Sequence, residues 1–351
     1  MAFLEIKNVR VSGISACVPK SIEEILTLKL FKDGEAEKFI ASTGVERRRY
    51  ADMNTTASDL CFWAAEQLIK ELEWNKEEID CLIFVSQTPD FILPATACIL
   101  QERLNLNHEC YSIDISLGCS GWVYGASVIS ALMQNGNLQK GLLLVGDTTL
   151  KINSSEDKST WPLFGDAGTA TAFEYEDKNS GLKFHLCTDG SGYEAIIMPD
   201  GGHRNPFSIE SLIMEEFEDG IRRCKLDTIL NGMDVFAFGI SRGPETIRKL
   251  TAYFDINIAN VDVFAFHQAN KFLNEKIRKK LELPSDKVPY SLKNFGNTSC
   301  ATIPLTLVTE WRNKLVNGPQ KVIACAFGVG LSWGSVYFET DKVICPTLLE
   351  I

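Results

Sequence analysis

At 351 residues the chain is long enough for two ordinary domains, or for one large fold built from two similar halves. Its 45% hydrophobic and 23% charged residues are a globular composition, and no stretch approaches the roughly 20 apolar residues of a membrane helix. A formal charge of −11 argues against a nucleic-acid partner, and Glu5 and Lys7 fall where a signal peptide would be apolar, which predicts a cytoplasmic protein.

In chain order, residues 57–72 place Leu60, Trp63, Ala64, Leu68 and Leu72 at helical spacing, with Thr56 as N-cap. The run 81–85 is short, apolar and unalternating, as a strand buried on both faces should be. Phe91-Ile92-Leu93 is an apolar cluster in a loop-like stretch. Asp114-Ile115-Ser116-Leu117-Gly118-Cys119-Ser120-Gly121 ends a strand and opens a helix over 120–135 that Gly136 stops. A cysteine at a helix N-terminus is an unusual structural choice, because the dipole and free N–H groups favour thiolate. The runs 142–146, 263–266 and 322–327 again read as buried strands. His267 follows the second of these, where α/β folds gather their active sites. Asn294-Phe295-Gly296-Asn297-Thr298-Ser299-Cys300 is a turn before a helix over 300–316, with Pro304 tolerable only in its first turn. The loop Ala326-Phe327-Gly328-Val329-Gly330 can present a backbone N–H to an oxyanion.

The eleven cysteines are odd in number and none form a CxxC pair. Several, among them Cys61, Cys81, Cys98 and Cys325, sit in apolar runs and read as core packing. His108, His185 and His203 have no motif around them and read as structural or surface groups.

The strongest organisation is an internal duplication. Asp80 before strand 81–85 matches Asp262 before 263–266 at an offset of 262 − 80 = 182. Lys140 before Gly141-Leu142 matches Lys321 before Val322-Ile323 at 321 − 140 = 181. Between them, Cys119 faces Asn297 at 297 − 119 = 178. A period this long means a duplicated domain, with residues 1–175 carrying Cys119 and residues 176–351 carrying His267 and Asn297. Alternating strands and helices in two copies predict an α/β fold with helices on mainly parallel sheets.

With these motifs in place, the chain resembles the β-ketoacyl-acyl-carrier-protein synthase III family of the thiolase superfamily. The resemblance rests on Thr43-Gly44-Val45-Glu46-Arg47-Arg48, Gly118-Cys119-Ser120-Gly121, Phe164-Gly165-Asp166-Ala167-Gly168, Asp189-Gly190-Ser191, His267-Gln268-Ala269-Asn270 and Gly296-Asn297-Thr298-Ser299, with the loop 326–335, in order. It implies a layered αβαβα fold and decarboxylative Claisen condensation of an acyl thioester with a malonyl thioester. In that chemistry Cys119 carries the acyl group, while His267 and Asn297 hold the malonyl thioester oxygen. Phe327, Gly328 and Val329 line the substrate site, and the N–H groups of Cys119 and Val329 form the oxyanion hole. No metal or redox cofactor is implied. A homodimer is, with Leu93 at the tip of the partner's acyl pocket.

The sequence departs from the family pattern before Thr43, where residues 37–42 hold no tryptophan or arginine to embrace the adenine of coenzyme A. Phe272 stands where an arginine usually follows His-Gln-Ala-Asn, leaving Lys158 as a possible phosphate contact. Coenzyme A is therefore the less fitting carrier. Lys271, Lys276, Arg278, Lys279 and Lys280 follow His267 on one helix, and Lys271, Lys276 and Lys280 are expected to dock an acidic acyl carrier protein. The competing readings are an acyl transfer from Cys119 to a hydroxyl or amine without decarboxylation, and a hydroxymethylglutaryl-type synthase. The latter would need a glutamate near the end of the 81–85 strand, where the sequence reads Val85-Ser86-Gln87-Thr88.

Overall fold

A computed structural model describes residues 2–351. The duplication seen in the sequence is a duplication of sheet topology. The first sheet runs Leu349–Glu350, Val9–Val18, Ala167–Tyr175, Lys140–Asp147, Cys81–Val85, Tyr111–Ile115. The second runs Ala2–Ile6, Leu182–Thr188, Ser332–Thr340, Gln320–Gly328, Val263–Phe266. In each, a short parallel pair (Cys81 beside Gly141; Val263 beside Val322) continues into an antiparallel partner (Lys140–Asp147 with Ala167–Tyr175; Gln320–Gly328 with Ser332–Thr340). The strands read as unalternating are buried throughout, as two covered faces require.

The two chain ends cross over. Ala2–Ile6 pairs with Leu182–Thr188 in the second sheet, and Leu349–Glu350 lies parallel to Cys17 and Val18 in the first. Each half thus borrows an edge strand from the other.

Between the sheets lie Gly121–Met133 and Thr302–Glu310, which touch strands of both. A helix with two covered sides needs apolar residues all round. Trp122, Val123, Ala126 and Ile129 are fully buried, and Trp122 Nε1 still finds an acceptor in Thr171 Oγ1 at 3.0 Å. Burying each such side chain contributes about 1.5–3 kcal/mol. Ala57–Glu71 and Thr96–Arg103 cover the outside of the first sheet, Gly232–Tyr253 the outside of the second with Lys271–Lys280 against it, completing the five layers. Among the described residues no helix is long and apolar enough to cross a membrane.

Thr56 caps the helix Ala57–Glu71 through a capping box with Asp59. Its buried face is Leu60, Cys61, Ala64, Ala65, Leu68 and Ile69, and Trp63 is instead 47% exposed. Spacing from Leu60 alone did not separate the two sides; the small residues Cys61, Ala64 and Ala65 mark where the helix must sit close to the sheet. The long helix expected over 300–316 is three pieces: a turn at Ser299–Ala301, Thr302–Glu310, and Arg312–Asn317 after a break at Trp311. Pro304 falls in the first turn of the second piece, where its missing N–H costs nothing. Cys98 is exposed, unlike Cys61, Cys81 and Cys325. His185 is an interior histidine, its Nδ1 2.8 Å from Thr246 Oγ1 in a strand paired on both sides.

The closest approach of helix to sheet is at Gly168, where a Cβ would lie 2.4 Å from Cys61 N and 2.5 Å from the carbonyl carbon of Leu60. Gly168→Ala is therefore expected to destabilise the fold by about 1–3 kcal/mol through overpacking. A urea midpoint equal to that of the parent would contradict this packing.

Candidate active site

Two turns from opposite halves face each other, joined by backbone. Asn297 N–H donates to Leu163 O at 2.9 Å and Gly165 N–H donates to Asn297 O at 3.1 Å. The approach requires glycine on both sides. A Cβ on Gly165 would stand 2.1 Å from Phe295 O, and Gly296 has φ +65° with its Cβ direction 2.8 Å from Leu163 O. The segments Phe164-Gly165-Asp166 and Gly296-Asn297 are thus two sides of one junction. Asp166, buried behind it, accepts N–H bonds from Ala51 and Leu150, and burial raises its pKa to about 6.

The junction borders a cavity of about 390 Å³ whose wall includes Cys119, His267, Asn297, Phe327, Gly328 and Val329. Cys119 follows the strand Tyr111–Ile115 and precedes the helix Gly121–Met133. Gly121 N–H donates to Gly118 O at 2.6 Å, closing the sharp turn. Opposite, Gly328 leaves space for the sulfur, since a Cβ there would lie 2.9 Å from Cys119 Sγ. Ser120 Oγ and Ser332 Oγ, 2.7 Å apart, tie the nucleophile turn to the loop beyond Val329.

Burial, aided by the Asp147 carboxylate, pushes the Cys119 thiol up to about 12, against the pull of its own N–H, that of Val329 and the Ser299 hydroxyl. The helix-terminus argument anticipated a lowered pKa, and in this closed pocket desolvation outweighs it. The two N–H groups nevertheless converge on the sulfur. Asp147 is held by Ser86 Oγ, the N–H groups of Gln87 and Thr88, and Thr88 Oγ1 on one oxygen, and by the Cys300 thiol at 3.1 Å on the other.

His267 is buried, and desolvation lowers its pKa to about 3, leaving a neutral imidazole. Its Nδ1 lies 2.8 Å from Thr302 Oγ1, which is itself 3.0 Å from Ser299 O. The Thr302 hydroxyl has one proton, and only where it is given to Nδ1 rather than to Ser299 O does the ring proton sit on Nε2. The rest of the His267 motif is scaffolding. Gln268 Nε2 donates to Phe266 O at 2.7 Å, Asn274 Nδ2 to His267 O at 3.0 Å, and Asn270 Oδ1 caps the next helix from Leu273 N–H at 2.8 Å. Ser299, at φ +52°, donates its N–H to Asn297 Oδ1 at 2.9 Å. That bond commits the Asn297 oxygen and leaves its amide nitrogen as the free donor.

Leu93 does not line the cavity of its own chain. It is 81% exposed at the tip of the loop 91–93. Lys271–Lys280 does border the cavity, through Leu273 and the preceding Ala269 and Asn270. Lys271, Lys276 and Lys280 are exposed on it, with Lys276 Nζ 5.1 Å over the Phe272 ring. Arg278 is not free, being paired with Glu275 at 2.8 Å and bonded to Leu283 O at 2.7 Å. Lys158 is likewise occupied, 3.1 Å from Glu35. Phe272 stacks on Phe236 of the cavity wall at 5.5 Å and 15°. Sequence reasoning missed Gln87, Asp147, Ser299 and Thr302. Only Ser299 stood inside a motif, and the others become recognisable once the fold brings them to the pocket.

The comparisons with known proteins agree with this geometry. The family model described as 3-oxoacyl-[acyl-carrier-protein] synthase III matches residues 113–190, and that of its C-terminal part matches residues 253–340. A β-ketoacyl-[acyl-carrier-protein] synthase III of Desulfitobacterium hafniense is 31% identical over 337 residues, 95% of this chain and 98% of that one. A putative 3-oxoacyl-[acyl-carrier-protein] synthase 3 of Campylobacter jejuni is 33% identical over 97% of this chain and 96% of its own length. The crystal structure of a 3-oxoacyl-(acyl-carrier protein) synthase from Burkholderia xenovorans superposes with a TM-score of 0.93 at 35% identity, covering 100% of this chain and 99% of that one. With the fold matched and the identity extending over nearly the full length of both chains, this chain belongs to the β-ketoacyl-[acyl-carrier-protein] synthase III family.

Proposed function

We propose that this enzyme condenses an acyl thioester with a malonyl thioester, with loss of carbon dioxide, to give a β-ketoacyl thioester. The observation that carries this is the meeting of Cys119, His267 and Asn297 on one cavity, with the free donor of Asn297 and a neutral imidazole beside a sulfur that two N–H groups approach. Cys119 Sγ attacks the acyl thioester carbonyl, and its own N–H and that of Val329 hold the oxyanion until the carrier thiol leaves. The malonyl thioester then enters. Asn297 Nδ2 and His267 Nε2–H donate to its thioester oxygen, so that loss of carbon dioxide leaves an enolate whose carbon attacks acyl-Cys119 and expels its sulfur as thiolate, which takes a proton from water to return to the thiol. A neutral imidazole suits this role because it donates a hydrogen bond without protonating the enolate carbon.

The carrier reading also belongs here. The stacked Phe236 and Phe272 occupy the cavity border, and Lys276 and Lys280 stand outside them, which supports docking of an acidic acyl carrier protein. A homodimer is supported by the outer edge of the strand Tyr111–Ile115, unpaired among the described residues, and by the exposed Phe91, Ile92 and Leu93.

Mass spectrometry after incubation with an acyl thioester should place the adduct on Cys119. His267→Ala and Asn297→Ala should keep that adduct while losing decarboxylation roughly a hundredfold or more. Labelling undiminished in Cys119→Ser, or normal condensation by either alanine variant, would overturn the assignment.

The lowered pKa of His267 fixes the sign of a pH test. Protonation, and loss of the Nδ1 acceptor, should come only as pH falls toward 3, so the decarboxylation rate should cross the ordinary histidine value of 6.5 without an inflection. A rate that falls through that value in the parent, but not in the residual activity of His267→Ala, would show that His267 titrates.

Charge reversal at Lys276 and Lys280 should weaken carrier-dependent turnover, more at low salt than at high, while a small N-acetylcysteamine thioester is turned over as before. Equal damage to both substrates would count against docking on this helix.

A further inference from the structure

The cavity beside Cys119 is mostly apolar, but some of the polar side chains that line it have no partner of their own. Thr149 and Asn153 form part of its wall, next to Ile152. Both residues are 7% exposed, and Thr149 Oγ1 and Asn153 Oδ1 have no hydrogen-bond partner among the described residues. The Asn153 amide is not free to turn over, because its Nδ2 donates to Thr149 O at 2.9 Å. Its unsatisfied atom is therefore an acceptor that lacks a donor. Gln87 is the third polar group of this wall. Asp147 pins its backbone N–H at 2.8 Å, and its side-chain oxygen stands where a Cβ on Gly118 would be 2.3 Å away, one residue from the nucleophile. The Gln87 amide makes no hydrogen bond of its own among the described residues.

Thr149 Oγ1 and Asn153 Oδ1 are buried acceptors without a partner beside the cavity, and an alkyl chain packed there would leave them so. A ligand that carries a hydrogen-bond donor would instead complete them. The donor is uncharged. The one carboxylate here, Asp147, already accepts from Ser86, Gln87, Thr88 and Cys300, so nothing in the wall calls for a cation. Resting on the reading of Cys119 as the acyl-carrying nucleophile, we propose that the acyl group this enzyme selects carries a hydroxyl substituent, bound by Asn153, Thr149 and Gln87.

The test compares initial rates of Cys119 acylation, followed by intact-protein mass spectrometry, for N-acetylcysteamine thioesters of butyrate, α-hydroxybutyrate and β-hydroxybutyrate. At least one hydroxylated thioester should load roughly tenfold or more faster than butyrate, as in sites built around a substrate hydroxyl. In Asn153→Leu and Thr149→Val that ratio should fall toward unity. Butyrate loading as fast as both hydroxylated thioesters in the parent enzyme overturns the proposal, whatever the variants do. Absence of any adduct on Cys119 with all three would instead overturn the nucleophile assignment on which it rests.

Discussion

The contact on which the rest depends is the backbone junction between Phe164-Gly165 and Gly296-Asn297. Two hydrogen bonds join the halves there, at a separation only glycine allows. One strand of the junction leads from the first half, and the other carries Asn297 and, two residues on, Ser299 with its N–H on the Asn297 amide. The position of the turn that carries Asn297 against the first half is thus set by main chain rather than by side-chain packing. That suits a site whose chemistry needs its groups held to a fraction of an ångström.

Around that junction the electrostatics are those of deeply buried groups. Burial raises the Cys119 thiol and lowers the His267 imidazole, so both rest uncharged. Neither isolated charge has to be sustained in the empty pocket, which would be costly. In the proposed condensation, charge arises only when a thioester supplies a carbonyl. The same low-dielectric surroundings that penalise a resting thiolate strengthen the hydrogen bonds that receive an oxyanion.

Much of this was legible in the sequence because it is periodic or local. Matching aspartates and lysines at offsets near half the chain disclosed the duplication, and unalternating apolar runs gave the buried strands. Cys119 stood out as a cysteine in a Gly-flanked strand-to-helix turn, and Asn297 through its pseudo-symmetric correspondence to it. What stayed hidden depends on distance in space. Asp147 ends a strand like many others, and Thr302 begins a helix like many others; only the fold places one behind Cys300 and the other against His267. Trp63 went to the wrong side because a helix packed closely against a sheet selects its small residues, and spacing weights only the large ones. The thiol pKa was misjudged for a related reason: the helix terminus is visible in sequence, whereas the depth of burial that overrides it is not.

The exchange of edge strands between the halves bears on how the chain is made. Val9–Val18 is synthesised early, yet its outer neighbour in the first sheet is Leu349–Glu350, which follows the whole second half. The reciprocal strand, Ala2–Ile6, must stay unpaired until Leu182–Thr188 exists. A nascent first half therefore carries one orphan strand until residues 182–188 emerge, and one open sheet edge until residues 349–350 do. The two repeats, though alike in topology, cannot mature one after the other as independent beads; they close together, and such waiting edges are the surfaces that chaperones cover.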